Sequence, residues 1–181
     1  MPDAPVLRLP PWVDEIDEAV DDWWQRLRGE PVLDRVFYGA SAAGDFSVIW
    51  HAYNLARLAT GATDPRRAAR LALAIAAESL VVNQGLKRLF KRERPDHSAE
   101  RPLHLRTPST SSFPSGHASA AAMAVTLLNE HSRARHLNAA LGAVVASSRI
   151  HVRIHHASDI VVGLAVGRAL AKVWQRAWPA R

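Results

Sequence analysis

Three short clusters hold the residues whose chemistry and spacing stand out. The first is Lys87 and Arg94, separated by six residues and followed by Pro95. Alone, a basic run at a helix end is an ordinary solvated terminus or an anion-facing patch. The second is Phe113-Pro114-Ser115-Gly116-His117, where a Ser/Thr-rich loop (107–112) meets an Ala-rich run (118–128). That pattern predicts a helix N-terminus, whose free backbone N–H groups and dipole favour an anion. Gly116 lets the backbone approach a ligand closely. His117 adds a group that can carry a proton near neutral pH. The third cluster is Ser148-Arg149, then five residues, His155, three residues and Asp159. In a helical turn, positions 155 and 159 share a face, so Asp159 can accept a hydrogen bond from the His155 ring. Each cluster by itself has a plain structural explanation, either a capped helix start or a structural His–Asp pair.

In this order, Lys-x6-Arg-Pro, Pro-Ser-Gly-His and Ser-Arg-x5-His-x3-Asp resemble the three-part signature of the type 2 phosphatidic acid phosphatase (PAP2) family. Its superfamily also contains bacterial non-specific acid phosphatases and vanadium haloperoxidases. Every motif position is filled, and the resemblance covers about residues 66–163. Two neighbours depart from the family pattern. Arg153 stands where a small residue is expected, and His156-Ala157 where an aromatic–Pro pair is common.

The resemblance implies a role for each residue. His155 is the expected nucleophile, forming a phosphohistidine, and Asp159 fixes its tautomer and stabilises developing charge. Lys87, Arg94 and Arg149 are expected to bind the non-bridging oxygens, over which a loose phosphoryl-transfer transition state spreads charge. Ser115 and the Gly116 N–H add donors. His117 protonates the leaving alkoxide and then activates water. Three cations do the work of a metal, so no metal and no cofactor is implied. Arg153 is the expected extra phosphate contact, and His151 and His156 are near enough in sequence to line the site. His51, His97, His104, His131 and His136 are read as structural or surface groups.

Composition narrows the partners. A chain of 181 residues fits one domain, 1–181, with a core of its own. It has no Cys, which excludes disulfides and Cys-based metal sites. A net charge of +6 and a pI of about 10.7 imply an anionic partner. No signal peptide is visible in the sequence.

The elements that must position these residues read as helices. An amphipathic N-terminal helix within 1–30 opens at Pro10-Pro11 and stops at Gly29 and Pro31. Trp12, Val13, Ile16, Val20, Trp23, Trp24 and Leu27 form its apolar face, and acids cover the other. It is expected either to dock by the apolar face or to lie at a membrane surface. Further helices are expected at 45–60, 66–90, 117–129, 137–154 and 158–174, with a long loop at 96–112. The helix at 66–90, most apolar over 71–82, is interrupted by Glu78. The fold class is therefore all-α, a bundle of about six helices with its catalytic core over 66–174.

Membrane placement divides two kinds of argument. No apolar stretch is a clean run of about twenty residues, and a mean hydropathy of −0.10 favours a soluble bundle. The resemblance favours a membrane-embedded protein with about five spanning helices. Trp near the chain ends and small residues such as Gly142, Gly163 and Gly167 suit that environment. The expected function is a metal-independent phosphatase in the cell membrane. It would act on a phosphorylated lipid of the phosphatidic acid, phosphatidylglycerol phosphate or polyprenyl phosphate type. Membrane and lipid are the expected partners, nucleic acid is not, and a homo-oligomer is left open. The alternatives are a soluble, cytoplasmic acid phosphatase of broad specificity and, in another class, a basic helical module binding nucleic acid or anionic membrane.

Overall fold

The computed structural model describes residues 9–95, 102–103 and 105–180. His97 and His104 lie outside the described residues. The helices are α1 (Pro11–Trp24), α2 (Pro31–Gly44), α3 (Val48–Ala59), α4 (Pro65–Ser79), α5 (Gly116–Leu128), α6 (Arg135–His151) and α7 (Ala157–Ala177). The helices expected from the sequence are present, and α2 is one more. Pro31 reads as a stop for α1, but it stands in the first turn of α2, where its missing N–H costs nothing.

α5 is the central helix, packed against α4, α6 and α7. Its contact with α7 is close. A Cβ on Gly163 would lie 2.5 Å from the Ser115 carbonyl oxygen, and one on Gly167 would lie 2.0 Å from that of Ser119. Small residues one turn apart on α7 thus let its backbone rest on that of α5. The main core gathers around this helix: Trp50, Leu71, Ile75, Met123, Leu127 and Val145.

α4 does not run straight to Phe90, as the sequence predicts. After Ser79 it widens into a π-helical segment, Leu80–Gly85, and then tightens into a 3-10 turn, Leu86–Arg88. Such a bulge rotates the residues that follow and recurs at functional sites. Here Glu78, Ser79, Asn83, Gln84 and Lys87 all face one cavity.

α1 docks by part of its apolar face, Val13 and Trp24, together with an acid. Asp17 is among its buried residues, only 3 % exposed, while Trp12 and Trp23 are 60 % and 54 % exposed. The helix uses acids to hold the bundle and turns Trp12, Ile16 and Trp23 outward. The reason is the surface it meets, which carries Arg92 and the start of α7. The turn after α1 adds Arg28, whose Nε donates to the His151 carbonyl and Nη2 to that of Ile150. It thereby adds side-chain donors to carbonyls of the last turn of α6.

Candidate active site

A cavity of about 310 Å³ opens at the end of the bundle where α5 begins. Lys87, Gly116, His117, Arg149 and His155 all line it. Residues from all three sequence clusters therefore meet in one place.

His155 stands on the short connection between α6 and α7, beyond the last turn of α6, and is buried. Its backbone N–H is held by the Arg149 carbonyl at 3.1 Å. Its Nδ1 lies 3.2 Å from Asp159 Oδ2. A carboxylate can only accept, so Nδ1 carries the hydrogen and Nε2 keeps a free lone pair. That nitrogen faces Arg94 Nη1 at 3.4 Å. Burial pushes the His155 proton affinity well down; Asp159 opposes this, and the charges of Arg149 and Lys87 reinforce it. The ring is thus neutral at neutral pH, the state a nitrogen nucleophile needs.

Ser115 caps α5: its Oγ accepts from the Ala118 N–H at 3.4 Å. Its own N–H donates to the Asp159 carbonyl at 3.0 Å, which ties the start of α5 to the start of α7. Gly116 sits against Asn83, where a Cβ would lie 2.9 Å from the side-chain oxygen. His117 Nε2 is 3.1 Å from the Ser41 carbonyl and 3.4 Å from Asp45 Oδ1. Both partners are acceptors, so this nitrogen also carries a hydrogen. Burial would raise the Asp45 carboxyl, but the hydrogen bond and charge of His117, with Arg149 and Arg106, hold it below its ordinary value. Two His–Asp pairs therefore border the same cavity.

The cations are arranged unevenly. Arg149 is fully buried, and its Nη1 donates to Ser41 Oγ. Lys87 is buried too. Burial, then the charges of Arg94 and Arg149, bring its pKa down to about 8. Arg94 lies beside the cavity, not in its wall. Its guanidinium donates to the carbonyls of Pro108, Ile154, Thr110 and Ser111. Four backbone oxygens fix it so that one nitrogen faces the His155 lone pair.

Several expected contributors lie elsewhere. Arg153 does not line the cavity; its Nη2 binds Gln25 Oε1 at 2.9 Å and Asp21 Oδ2 at 3.3 Å on the α1 side. It is part of the α1 seam, and the expected phosphate contact is not made from that position. His151 is enclosed on the far side of α6. Trp24 Nε1 donates to its Nδ1 at 3.1 Å, its Nε2 is 2.8 Å from Asp34 Oδ1, and Phe37 stacks on it. His156 stands at the N-cap of α7, and its N–H donates to Asp159 Oδ2 at 2.9 Å.

Other groups were not anticipated. Ser41 and Asp45 come from the α2–α3 corner, which gave no sequence signal. Phe46 and Ser47 there take left-handed backbone angles, φ 51° and 58°, a costly conformation for non-glycine residues that clusters near functional sites. Arg106 lies over the Phe46 ring, 4.8 Å from its centre, at the cavity wall. Glu78 did leave a signal, a lone acid in an apolar stretch. It is 2 % exposed, and its Oε1 takes no hydrogen bond from any described residue.

Comparison with known proteins places this arrangement. The sequence matches the PAP2 superfamily over residues 67–181. The chain belongs to that superfamily. Decaprenylphosphoryl-5-phosphoribose phosphatase from Mycobacterium tuberculosis is 38 % identical over 88 residues, 49 % of each chain. The chain thus spans about half the length of that relative. The Mycolicibacterium smegmatis protein of the same name is 31 % identical over 140 residues, 76 % of this chain and 74 % of that one. Among solved structures, a transmembrane PAP2 type phosphatidylglycerolphosphate phosphatase from Bacillus subtilis aligns with a TM-score of 0.71 at 22 % identity, covering 95 % of this chain and 90 % of that one. Aquifex aeolicus LpxE aligns with the same score at 21 % identity, covering 95 % and 99 %. At that identity the likeness is one of fold. The PAP2 match begins at residue 67 and so leaves out α1, α2, the corner that follows and α3; that region supplies Asp17, Ser41 and Asp45.

Proposed function

We propose that this PAP2 protein is a phosphatase that removes a phosphate from a membrane lipid through a phosphohistidine. One observation carries the proposal: a neutral, Asp-held His155 and a second histidine, His117, share a cavity with Lys87, Arg149 and the N-terminus of α5. In the first step His155 Nε2 attacks phosphorus. The P–O ester bond breaks, and the leaving oxygen takes a proton from Nδ1 of His117 in its protonated form. Burial and the Arg149 charge lower the ring's proton affinity; Nε2–H stays on the Ser41 carbonyl and Asp45, which oppose them. In the second step His117 takes a proton from water, whose oxygen attacks phosphorus. The P–N bond breaks, His155 regains its lone pair and phosphate leaves. Lys87, Arg149 and the N–H groups of α5 stabilise the equatorial oxygens in both transition states, and Arg94, tied to four carbonyls, holds its charge beside His155 Nε2. Positioned cations supply the charge a metal would otherwise bring, so turnover is expected to persist in EDTA.

The cavity wall supports a choice of substrate. Ser47, Glu78, Ser79, Asn83 and Gln84 make it polar well beyond the space one phosphate needs. Such a wall suits a hydroxylated group next to the phosphate, as on the polyprenyl-linked phosphoribose for which the mycobacterial relatives are named. We place that class ahead of phosphatidic acid and phosphatidylglycerol phosphate.

We also propose that the bundle sits in a membrane with the cavity end at its polar face. Among the described residues, no helix is long and apolar enough to cross a membrane. The support lies in the outward faces. Val48 and Leu55 on α3, Leu73 on α4, Leu137 on α6, and Val161 and Leu164 on α7 are all exposed, so apolar side chains surround the bundle instead of forming one patch. Trp12, Ile16 and Trp23 on α1 add an apolar stripe suited to an interface. Lys87, Arg94 and His155 lie on turns and loops beyond the helical bodies.

The test is phosphate release by purified protein, extracted with and without detergent, on lipid-linked sugar phosphates, phosphatidic acid and water-soluble esters. Release that survives EDTA, stops with vanadate and falls on the order of 10⁴-fold in His155→Gln is the expected result. Full activity in His155→Gln would end the proposal. Extraction without detergent, together with a preference for soluble esters, would replace the lipid substrate by a soluble one.

A further inference from the structure

The side of Asp159 that faces away from His155 is built up by α1, a helix outside the matched PAP2 region. Asp159 uses Oδ2 for His155 and for the His156 N–H, and its Oδ1 accepts from Arg92 Nη1 at 2.8 Å. The same Nη1 donates to Ser158 Oγ at 2.7 Å. Arg92 Nη2 donates to Asp17 Oδ2 at 2.6 Å and to Asp14 Oδ1 at 2.8 Å, both on α1. Asp17 also accepts from the Ser158 N–H at 2.7 Å and from its hydroxyl at 2.6 Å. Asp17 is buried, so its charge is placed at a desolvation cost that only these partners offset.

We propose that Asp17 and Arg92 are positioning residues for phosphoryl transfer: α1, through Asp17, Arg92 and Ser158, orients Asp159 and balances its charge against His155. The inference rests on the phosphatase proposal above. Its geometric content is that Arg92 and the His156 N–H together leave the carboxylate one orientation, with Oδ2 toward Nδ1. Outer partners of this kind, acting on a group that holds a histidine, are worth about 10- to 100-fold in activity where they have been removed elsewhere. Its electrostatic content is that Arg92 is shared. Asp17 and Asp14 draw on its charge, so Asp159 keeps enough negative character to hold the imidazole. The other charges near His155 are Arg94 from the loop before α5, Arg149 from α6 and Lys87 from the turn after α4, with His117 of α5 on the same cavity. All of these remain in the variants below.

Opposite changes should therefore move the ring in opposite directions. Removing Arg92 leaves Asp159, Asp17 and Asp14 without the cation they share, and His155, bonded to Asp159, then holds a proton more tightly. Removing the Asp17 charge commits Arg92 to Asp159, and His155 holds a proton less tightly. The experiment is the pH dependence of kcat/KM for the full chain on dioctanoyl phosphatidic acid in detergent, with circular dichroism to verify folding. Arg92→Gln is expected to lower kcat about 10- to 100-fold and move the acid limb to higher pH. Asp17→Asn is expected to move that limb to lower pH, and Arg92→Lys to restore part of the rate. If Arg92→Gln does not fold, the directions seen in Asp17→Asn and Arg92→Lys decide. Unchanged profiles in folded variants, or shifts of one sign in both, would overturn the inference while leaving an active wild type as a phosphatase. An inert wild type would remove the phosphatase proposal and this inference with it.

Discussion

Two buried arginines sit at opposite ends of the bundle. At the closed end, Arg70 is fully matched: Nη1 and Nη2 reach the two oxygens of Glu130 at 2.6 and 3.1 Å, and Nε reaches the Trp178 carbonyl at 2.6 Å. At the cavity end, Arg149 stands near Lys87 and Arg94, with Asp45, paired to His117, as an acidic neighbour, and the nearby Asp159 is shared with Arg92. The first end is balanced and ties α4 to the residues after α5. The second gathers several cations around a cavity, an arrangement suited to an anionic ligand. The two look alike in sequence, since both are arginines within helical patterns. Only their partners separate anchoring from recognition.

The sharpest way to break this comparison is to truncate both. Arg149→Ala is expected to lower kcat/KM on the order of 10³-fold, with a smaller loss of stability than the same change at position 70. Arg70→Ala is expected to cost about 3–5 kcal/mol, because it strands the Glu130 carboxylate. The kcat/KM of the protein that stays folded should be near wild type. Thermal melts and steady-state kinetics on both variants check the pair, and equal kinetic losses would erase the distinction.

A smaller effect follows from Lys87. A lysine loses its proton as pH rises, and this one does so near 8. Crowding by other cations contributes to that value, so kcat/KM should fall as pH passes about 8, through weaker binding of the substrate phosphate. Lys87→Arg should keep a charge above that pH and shift the limb out of range. A limb that persists in Lys87→Arg belongs to another group.

The smallest predicted effect concerns the polar wall. Glu78→Gln removes a strong acceptor while keeping shape. It should cost about 10-fold on a substrate with hydroxyls beside the phosphate and little on phosphatidic acid. Equal losses on both would mean that Glu78 acts only through the charge of Lys87.

How much of this was legible beforehand depends on the length scale of the signal. Lys87, Gly116, His117, Arg149 and His155 could be picked out because their spacing is fixed along the chain, and the structure brings them to one cavity. The helices followed from apolar periodicity, except α2, where Pro31 reads equally well as an end or a beginning. α1 was legible in part, since Val13 and Trp24 of its apolar face do pack on the bundle while Asp17 docks beside them. Its pattern shows which face is apolar, but what docks depends on the opposing surface, and here that surface offers Arg92 and the N-terminus of α7. Asp45 and Ser41 were invisible, because contacts between residues more than seventy positions apart leave no mark on local sequence. Arg153 misled by proximity: two residues from His155, its side chain still leaves on the α1 side.

The glycines of α7 carry a last consequence. With Gly163 resting on the Ser115 carbonyl and the Ser115 N–H bound to the Asp159 carbonyl, the ligand-facing end of α5 and the end of α7 that orients the nucleophile form one rigid block. A single methyl group inserted at that seam would wedge it open and part His117 from His155, although neither histidine had been touched. Turnover in this protein should therefore be sensitive to interhelical spacing on the scale of tenths of an ångström, and it should fail well before the bundle itself comes apart.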